Sequence, residues 1–284
     1  MNNFAAEKLS RMTGAGNTFF VIHNKAARAT RAQFTRHICN DFVGFTTDGV
    51  LFLDSDSVAD AKWDFYNSDG STAEMCGNAA RCAGLYFHTR VQAKEKIAFA
   101  TLAGEIECQV LDAAKGIVRV KMPKMTGKYG PQEVQLGAKK VRGFFVDTGV
   151  PHFVIQHEPD EHLARALRKV TDFGPRGANI TFVEFDEHHF LQAVTFERGV
   201  ENFTLACGTG AVAAARFHHH CYPSVNQQTG AAATRASATT SLEAPVLAVE
   251  MPGGLLQVEW KDGTAFLTGP AEFDFDIQLQ GANL

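Results

Sequence analysis

The sequence predicts an α+β protein of two pseudo-symmetric, strand-rich domains, each a curved antiparallel sheet or barrel around a central helix. Three observations predict it. The chain repeats itself once, at a period of about 130 residues, which marks duplicated domains rather than a solenoid of ~20–50-residue repeats. Strand-like alternation of apolar and polar residues dominates what lies between the matching segments. Each half also holds one run of small and apolar residues that reads as a buried helix. Both runs open on cysteine and glycine: Cys76-Gly77-Asn78-Ala79-Ala80 and Cys207-Gly208-Thr209-Gly210-Ala211.

The matching segments follow one order. Thr13-Gly14-Ala15-Gly16-Asn17-Thr18-Phe19-Phe20-Val21-Ile22-His23 resembles Thr148-Gly149-Val150-Pro151-His152-Phe153-Val154-Ile155-Gln156-His157, a glycine turn beside a strand. Asp41-Phe42-Val43-Gly44 before Val50-Leu51-Phe52-Leu53 is answered by Asp172-Phe173-Gly174-Pro175 before Ile180-Thr181-Phe182-Val183. Trp63-Asp64-Phe65-Tyr66-Asn67 is answered by Val194-Thr195-Phe196-Glu197, and a polar loop leads from each to its cysteine. Residues 104–110, 116–122 and 256–260 alternate as half-buried strands. Helices are expected over 31–41, 78–90, 161–169 and 210–219. Lys, Pro and Gly cluster over 123–130 as a linker would. The domains are therefore set at 1–128, carrying Cys76, and 129–269, carrying Cys207, with the tail 270–284 returning to the first. Residues 224–244, rich in Ser, Thr, Ala, Asn and Gln, read as a mobile surface excursion.

Composition narrows the function. The chain has 284 residues, 45% hydrophobic and 20% charged, with 27 basic against 31 acidic side chains and a formal net charge of −4. No basic excess or basic run invites nucleic acid or an anionic membrane. No stretch reaches the ~20 apolar residues of a membrane span, and the polar N-terminus does not read as a signal peptide. A soluble cytoplasmic protein is expected. Six cysteines (Cys39, Cys76, Cys82, Cys108, Cys207, Cys221) are scattered with no CxxC pair. Reduced thiols are expected rather than disulfides or structural zinc. The run His218-His219-His220-Cys221 reads as a polar helix end rather than a metal site, because adjacent helical histidines point in different directions.

A cysteine at the start of a helix is a chemical position. The unpaired first-turn N–H groups and the helix dipole favour negative charge there, so the thiolate is stabilised. The same N–H groups can bind a carboxylate, and the glycine after each cysteine lets a ligand approach the backbone closely. Duplicated, the arrangement suits inversion at an amino acid's α-carbon. One thiolate removes the proton, the opposite thiol returns one, and the helix dipoles stabilise the charge that builds on the carboxylate. Cys39, Cys82, Cys108 and Cys221 are read instead as buried apolar side chains. No lysine stands out as a pyridoxal partner, so no cofactor is expected.

At these residues the chain resembles the diaminopimelate epimerase family, the cofactor-independent two-cysteine epimerases of bacterial lysine and cell-wall precursor synthesis. The likeness rests on Met12-Thr13-Gly14-Ala15-Gly16-Asn17, on Asn67 through Asn78 with its Ala73-Glu74-Met75-Cys76-Gly77-Asn78 core, and on Gly149-Val150-Pro151-His152. It continues through Glu197-Arg198-Gly199, Ala206-Cys207-Gly208-Thr209-Gly210-Ala211, Met251-Pro252-Gly253-Gly254 and Leu267-Thr268-Gly269-Pro270-Ala271-Glu272. The related proline racemases tend to carry histidine where Asn78 stands. The resemblance implies that Cys76 and Cys207 are the acid–base pair and that His152 and Glu197 help deprotonate them. It implies that Gly77-Asn78 and Gly208-Thr209 hold the reacting carboxylate. Asn17, Asn67, Asn179, Glu197 and Arg198 would hold the distal carboxylate and amine of diaminopimelate, which suits an Arg fork, a Glu and amides. It also implies a homodimer.

Four departures from the family pattern stand out. Val150 sits where many members have a substrate-binding Asn, and Gly49 follows Asp48 where some have Gln. Gly199-Val200-Glu201-Asn202-Phe203-Thr204 is one residue longer than the common Gly-x-Gly-Glu-Thr pattern and sets Phe203 at its Glu, and Ala79 replaces a frequent Gly after Asn78. The alternatives are a racemase of another amino acid, such as histidine, on the same scaffold; a thiol redox protein; and a non-catalytic binding module.

Overall fold

A computed structural model describes residues 7–23, 30–40, 45–72, 75–175, 177–185, 190–222 and 244–279. The excursion expected over 224–244 lies outside them except for Ala244, which opens a strand, and the loop 41–44 lies outside them too. The chain divides into two compact units, Met1–Val120 with Gly269–Leu284, and Lys121–Thr268. The passage falls before the 123–130 stretch read as a linker. Those residues instead run into a strand that begins at Thr126, because its apolar partners pair with the strand that follows.

In the first unit the pairing runs β17 (Glu272–Leu279), β1 (Glu7–Gly14), β2 (Asn17–His23), β3 (Gly49–Asp54), β4 (Ala61–Asn67), β5 (Lys96–Thr101), β6 (Gly104–Asp112), β7 (Ile117–Lys121). The second unit runs β8 (Thr126–Leu136), β9 (Lys139–Asp147), β10 (Pro151–Gln156), β11 (Asn179–Phe185), β12 (Leu191–Glu197), β14 (Ala244–Met251), β15 (Gly254–Lys261), β16 (Thr264–Pro270). A short β13 (Asn202–Thr204) hangs on β12. Step for step, the two ladders alternate identically: two antiparallel pairings, one parallel, one antiparallel, one parallel, two antiparallel. The duplication read from four weak sequence matches is thus a duplication of topology.

The sheets are mixed rather than wholly antiparallel, and the helices explain why. A parallel neighbour cannot be reached by a hairpin and needs a crossover. Helix α1 (Arg31–Asn40) bridges β2 to β3, and α3 (Glu161–Leu167) bridges β10 to β11. Helix α2 (Gly77–Tyr86) bridges β4 to β5, and α4 (Gly208–Cys221) bridges β12 to β14. The first helix is locked to its sheet by charge and ring contact: buried Arg31 bonds Asp54 on β3 and Asp64 on β4 and lies 4.5 Å over Phe52. The third packs Ala164 and Leu167 on Phe153, Phe173, Ile180 and Phe182, and Asp160 caps it by accepting from the Leu163 N–H.

Helices α2 and α4 are the buried ones. Every residue of α2 is buried, and it packs on β1, β2, β3 and β6. Helix α4 packs on β9 to β12 and on β14 and β15. A helix surrounded by strands must be small on every face, and glycine marks the tightest points. A Cβ at Gly84 would lie 3.1 Å from the Cβ of Cys108, and one at Gly210 would lie 2.3 Å from Thr195 Oγ1.

The helix expected over 78–90 begins one residue earlier and passes at Phe87–Val91 into a π-turn. At the far end of α4 the sequence reading needs two corrections. His218 is not part of a polar helix end; it is buried between the rings of Phe185 and Tyr222, at 5.5 and 5.1 Å. Cys221 is exposed, because the last turn of α4 leaves the sheet behind, whereas Cys39, Cys82 and Cys108 are buried as expected.

Candidate functional site

Cys76 and Cys207 occupy the same position in the two units: each is the N-cap of the buried helix. Their backbones are extended, at φ −144°, ψ 121° and φ −119°, ψ 109°. Each carbonyl accepts the first intrahelical bond, Ala80 N–H to Cys76 at 2.9 Å and Ala211 N–H to Cys207 at 2.8 Å. Neither thiol closes a side-chain cap on its own helix. An N-cap usually offers an oxygen to the amides of the first turn. Neither cysteine supplies that oxygen, and the first-turn N–H groups of a helix, here at Gly77-Asn78 and Gly208-Thr209, favour an anion.

Around α2 the polar groups form one directed chain. Arg81, fully buried, donates through Nη2 to Asn78 Oδ1 at 2.8 Å, through Nε to the Pro270 carbonyl at 3.1 Å and through Nη1 to the Gly77 carbonyl at 3.4 Å. Guanidinium only donates, so Oδ1 of Asn78 faces it and Nδ2 faces away. That Nδ2 donates to Asn17 Oδ1 at 2.6 Å, and Asn17 Nδ2 donates to Asp48 Oδ2 at 3.3 Å. Asp48 also accepts from the Thr18 N–H at 2.7 Å. Asn67 is not in the chain. It shapes a turn with Ser71, donating from Nδ2 to its Oγ at 3.0 Å, and stands opposite Gly49 in the sheet. A Cβ at Gly49 would come within 2.4 Å of the Tyr66 carbonyl, so this backbone admits no side chain there.

Around α4 the chain is built from hydroxyls and an imidazole. Arg198 N–H donates to Asn179 Oδ1 at 2.8 Å, which turns Asn179 Nδ2 to His152 Nε2 at 3.3 Å. Nε2 therefore accepts, and the proton sits on Nδ1, 2.9 Å from Thr181 Oγ1. Thr181 continues to Thr195 at 3.2 Å. On its other side Nε2 faces Thr209 Oγ1 at 3.0 Å, and Thr209 Oγ1 is 3.4 Å from Cys207 Sγ. The Thr209 carbonyl accepts from Thr148 Oγ1 at 3.1 Å. Burial, with the Arg198 charge beside it, pushes His152 down to about 3, so the ring is neutral. Glu197, at the end of β12, accepts from Thr204 and hydrogen-bonds Cys207; burial raises its pKa against the effect of those bonds.

Phe203 is part of the core, its ring 5.7 Å from Phe182 and 5.5 Å from Phe196. Val150 is half-buried in the turn before β10, where its carbonyl accepts from the Thr148 N–H at 3.2 Å. Sequence reasoning missed Arg81, Thr181, Thr195 and Thr204. The signal was a charge or hydroxyl at a position whose neighbours all read as core. A cavity of about 370 Å³ in the second unit, lined by His157, Phe182, Glu184, Gln192, Glu250 and Met251, holds none of the expected site residues. Among the described residues no three His, Cys, Asp or Glu side chains gather as a metal site would require, and no helix is long and apolar enough to cross a membrane.

The family model described as diaminopimelate epimerase matches residues 9–127 and 144–273. The chain belongs to the diaminopimelate epimerase family. Among its relatives, the diaminopimelate epimerase of Aquifex aeolicus (strain VF5) is 37% identical, over 72% of this chain and 78% of its own. That of Archaeoglobus fulgidus is 31% identical, over 94% of each chain. Among solved structures, a phenazine biosynthesis PhzF family protein of Enterococcus faecalis superposes with a TM-score of 0.68, covering 96% of this chain and 99% of its own. At 14% identity it shares the fold. Two sheet-rich units, each wound on a cysteine-capped helix, are the form in which this family presents its signature segments here.

Proposed function

We propose that this protein interconverts LL- and meso-diaminopimelate by exchanging the α-proton between Cys76 and Cys207, with no organic cofactor. The observation that carries the chemistry is the pair of cysteine N-caps, each at the first turn of a buried helix that its own thiol does not cap. Family membership supports the substrate. In the forward sense one thiolate takes the α-hydrogen as a proton and becomes a thiol. The other thiol gives its proton to the opposite face and becomes a thiolate. The enzyme ends with its protonation reversed and is ready for the other stereoisomer. Amides at Gly77-Asn78 and Gly208-Thr209 hold the reacting carboxylate, where negative charge accumulates in the transition state.

Of the two groups expected to deprotonate the thiols, Glu197 fits better. It bonds Cys207, and burial raises its pKa, which makes it a stronger proton acceptor than an exposed carboxylate. His152 is too weakly basic for that role; it orients the Thr209 hydroxyl beside Cys207. Asn17, Asn67, Asn179, Glu197 and Arg198 hold the distal end of the substrate. A homodimer working in the cytoplasm completes this reading, checked by sedimentation and by fractionation.

Val150 favours a second reading, a racemase of another amino acid, since it brings a hydrocarbon where a distal polar group would want an amide. Incubating the reduced protein in D₂O with LL-diaminopimelate, L-histidine, L-proline or L-glutamate separates the two. Deuterium at the α-carbon of diaminopimelate alone is expected. Exchange confined to another acid would move the assignment to that acid, and exchange with none would return weight to a redox or binding role.

A further inference from the structure

Arg81 is the most unusual charge in the first unit. It is 0% exposed, and all of its hydrogen bonds go to uncharged oxygens: two carbonyls and the Asn78 amide. Among the described residues it makes no salt bridge. Its side chain runs back along α2 to the first turn, where the positive end of the helix dipole makes a cation unfavourable. A buried charge in that position costs stability unless something nearby is negative when it matters.

Burial lowers the Arg81 pKa, and the groups that act against this are thiols: Cys82 on its own helix, Cys76 at that helix's N-cap, and Cys108 on β6. Burial pushes Cys82 and Cys108 up to about 12 in spite of the Arg81 charge, which lowers both; Cys76 and Asp274 add to the rise at Cys82, and Glu107 to that at Cys108. Those two stay protonated. Cys76 differs from them in place: it is the half-exposed N-cap, next to the Gly77 whose carbonyl Arg81 binds. The counter-charge that the fold does provide, Asp48, stands two amides away at the far end of the Asn78–Asn17 chain.

We propose that Arg81 is a positioning residue for Cys76: its guanidinium supplies the positive potential in which that thiol ionises, and its fork pins the Asn78–Asn17–Asp48 chain. The second unit needs no such group. Helix α4 has Val212 one turn along at the matching position, and Cys207 has a carboxylate, Glu197, for its proton. The inference rests on Cys76 being the reacting thiol of the proposed epimerase, but its test does not depend on catalysis.

The test follows the rate of iodoacetamide alkylation of Cys76 and Cys207 against pH, read by peptide mass spectrometry, in the wild type and in R81M. The midpoint for Cys76 should rise by about one pH unit or more, as removal of a neighbouring opposite charge does. The Cys207 midpoint should hold, which reports that the fold is intact. An unchanged Cys76 midpoint in folded R81M overturns the proposal. Should R81M fail to fold, R81K carries the test. It keeps a cation without the fork, so its Cys76 midpoint should move less than half a unit while KM for diaminopimelate rises about tenfold through the loosened amides. An unchanged KM in R81K removes the pinning role. A wild type that shows the alkylation behaviour but no exchange with any amino acid would defeat the proposed function and leave Arg81's effect on the thiol standing.

Discussion

The two units set the same backbone to work with different side chains. In each, the second residue of the buried helix bonds a residue near the start of the preceding crossover strand, and that residue bonds one at the start of its parallel neighbour. In the first unit the three are Asn78, Asn17 and Asp48. In the second they are Thr209, His152 and Asn179. The first chain runs from a buried cation to a carboxylate through two amides whose orientation both ends dictate. The second is neutral throughout, a hydroxyl, an imidazole and an amide, with the ionisable Glu197 placed instead against the cysteine. The duplicated topology preserved the position of the thiol and of the chain beneath it, while the ionisable side chains beside each diverged: buried Arg81 in the first unit, Glu197 bonded to Cys207 in the second.

That contrast predicts unequal responses to substitution. Replacing either cysteine by serine should lower epimerisation by roughly 10³-fold or more, since no acid–base partner of matched pKa remains; a variant retaining a tenth of the activity would remove that cysteine from the reaction. E197Q should lower kcat by about 10²-fold and lower the alkylation midpoint of Cys207, by removing a neighbouring negative charge, without moving that of Cys76. Equal movement at both thiols would mean that the units are governed alike. T209V should cost about tenfold or less, and T209S should restore the loss, because only the hydroxyl is at issue.

Stability against pH separates the units as well. His152 is neutral in the folded protein, with its pKa pushed to about 3, whereas an unfolded histidine titrates near 6.5. Between those values the unfolded state binds the extra proton, so stability falls as pH is lowered through that window. From pH 7 to 5 the loss from this group is about 2 kcal/mol, to be read from urea midpoints. H152Q should flatten the fall, and a wild-type slope unchanged by the substitution would show that other groups carry it.

Much of this was legible in the sequence, for physical reasons that also mark where legibility stopped. The Cys-Gly pairs and their helices could be found because a helix wrapped by strands has to be built of small residues, and such runs are rare. The strands followed from period-two alternation. The two parallel pairings in each sheet did not, since an alternating strand looks the same beside a parallel or an antiparallel neighbour; the crossover helices α1 and α3 were the available clue. Asn17, Asn78, His152 and Asn179 were named through the family likeness, but their partners were not. Arg81 sits in a run that reads as core, and Thr181 and Thr195 lie inside strands where threonine is an ordinary β-former. The expected proton-taking role of His152 could not be weighed without its burial, which decides the basicity of an imidazole.

Two thiols of unlike surroundings should make a reaction whose two directions share no single base. The most direct measurement is the early time course of solvent deuterium uptake in D₂O, started separately from LL- and from meso-diaminopimelate, with the substrate and product pools resolved. Label should enter the product at the rate of epimerisation while the remaining substrate stays unlabelled, from either starting isomer. Label appearing in the substrate pool as fast as in the product would mean that one group both removes and returns the proton, and the division of work between Cys76 and Cys207 would be wrong.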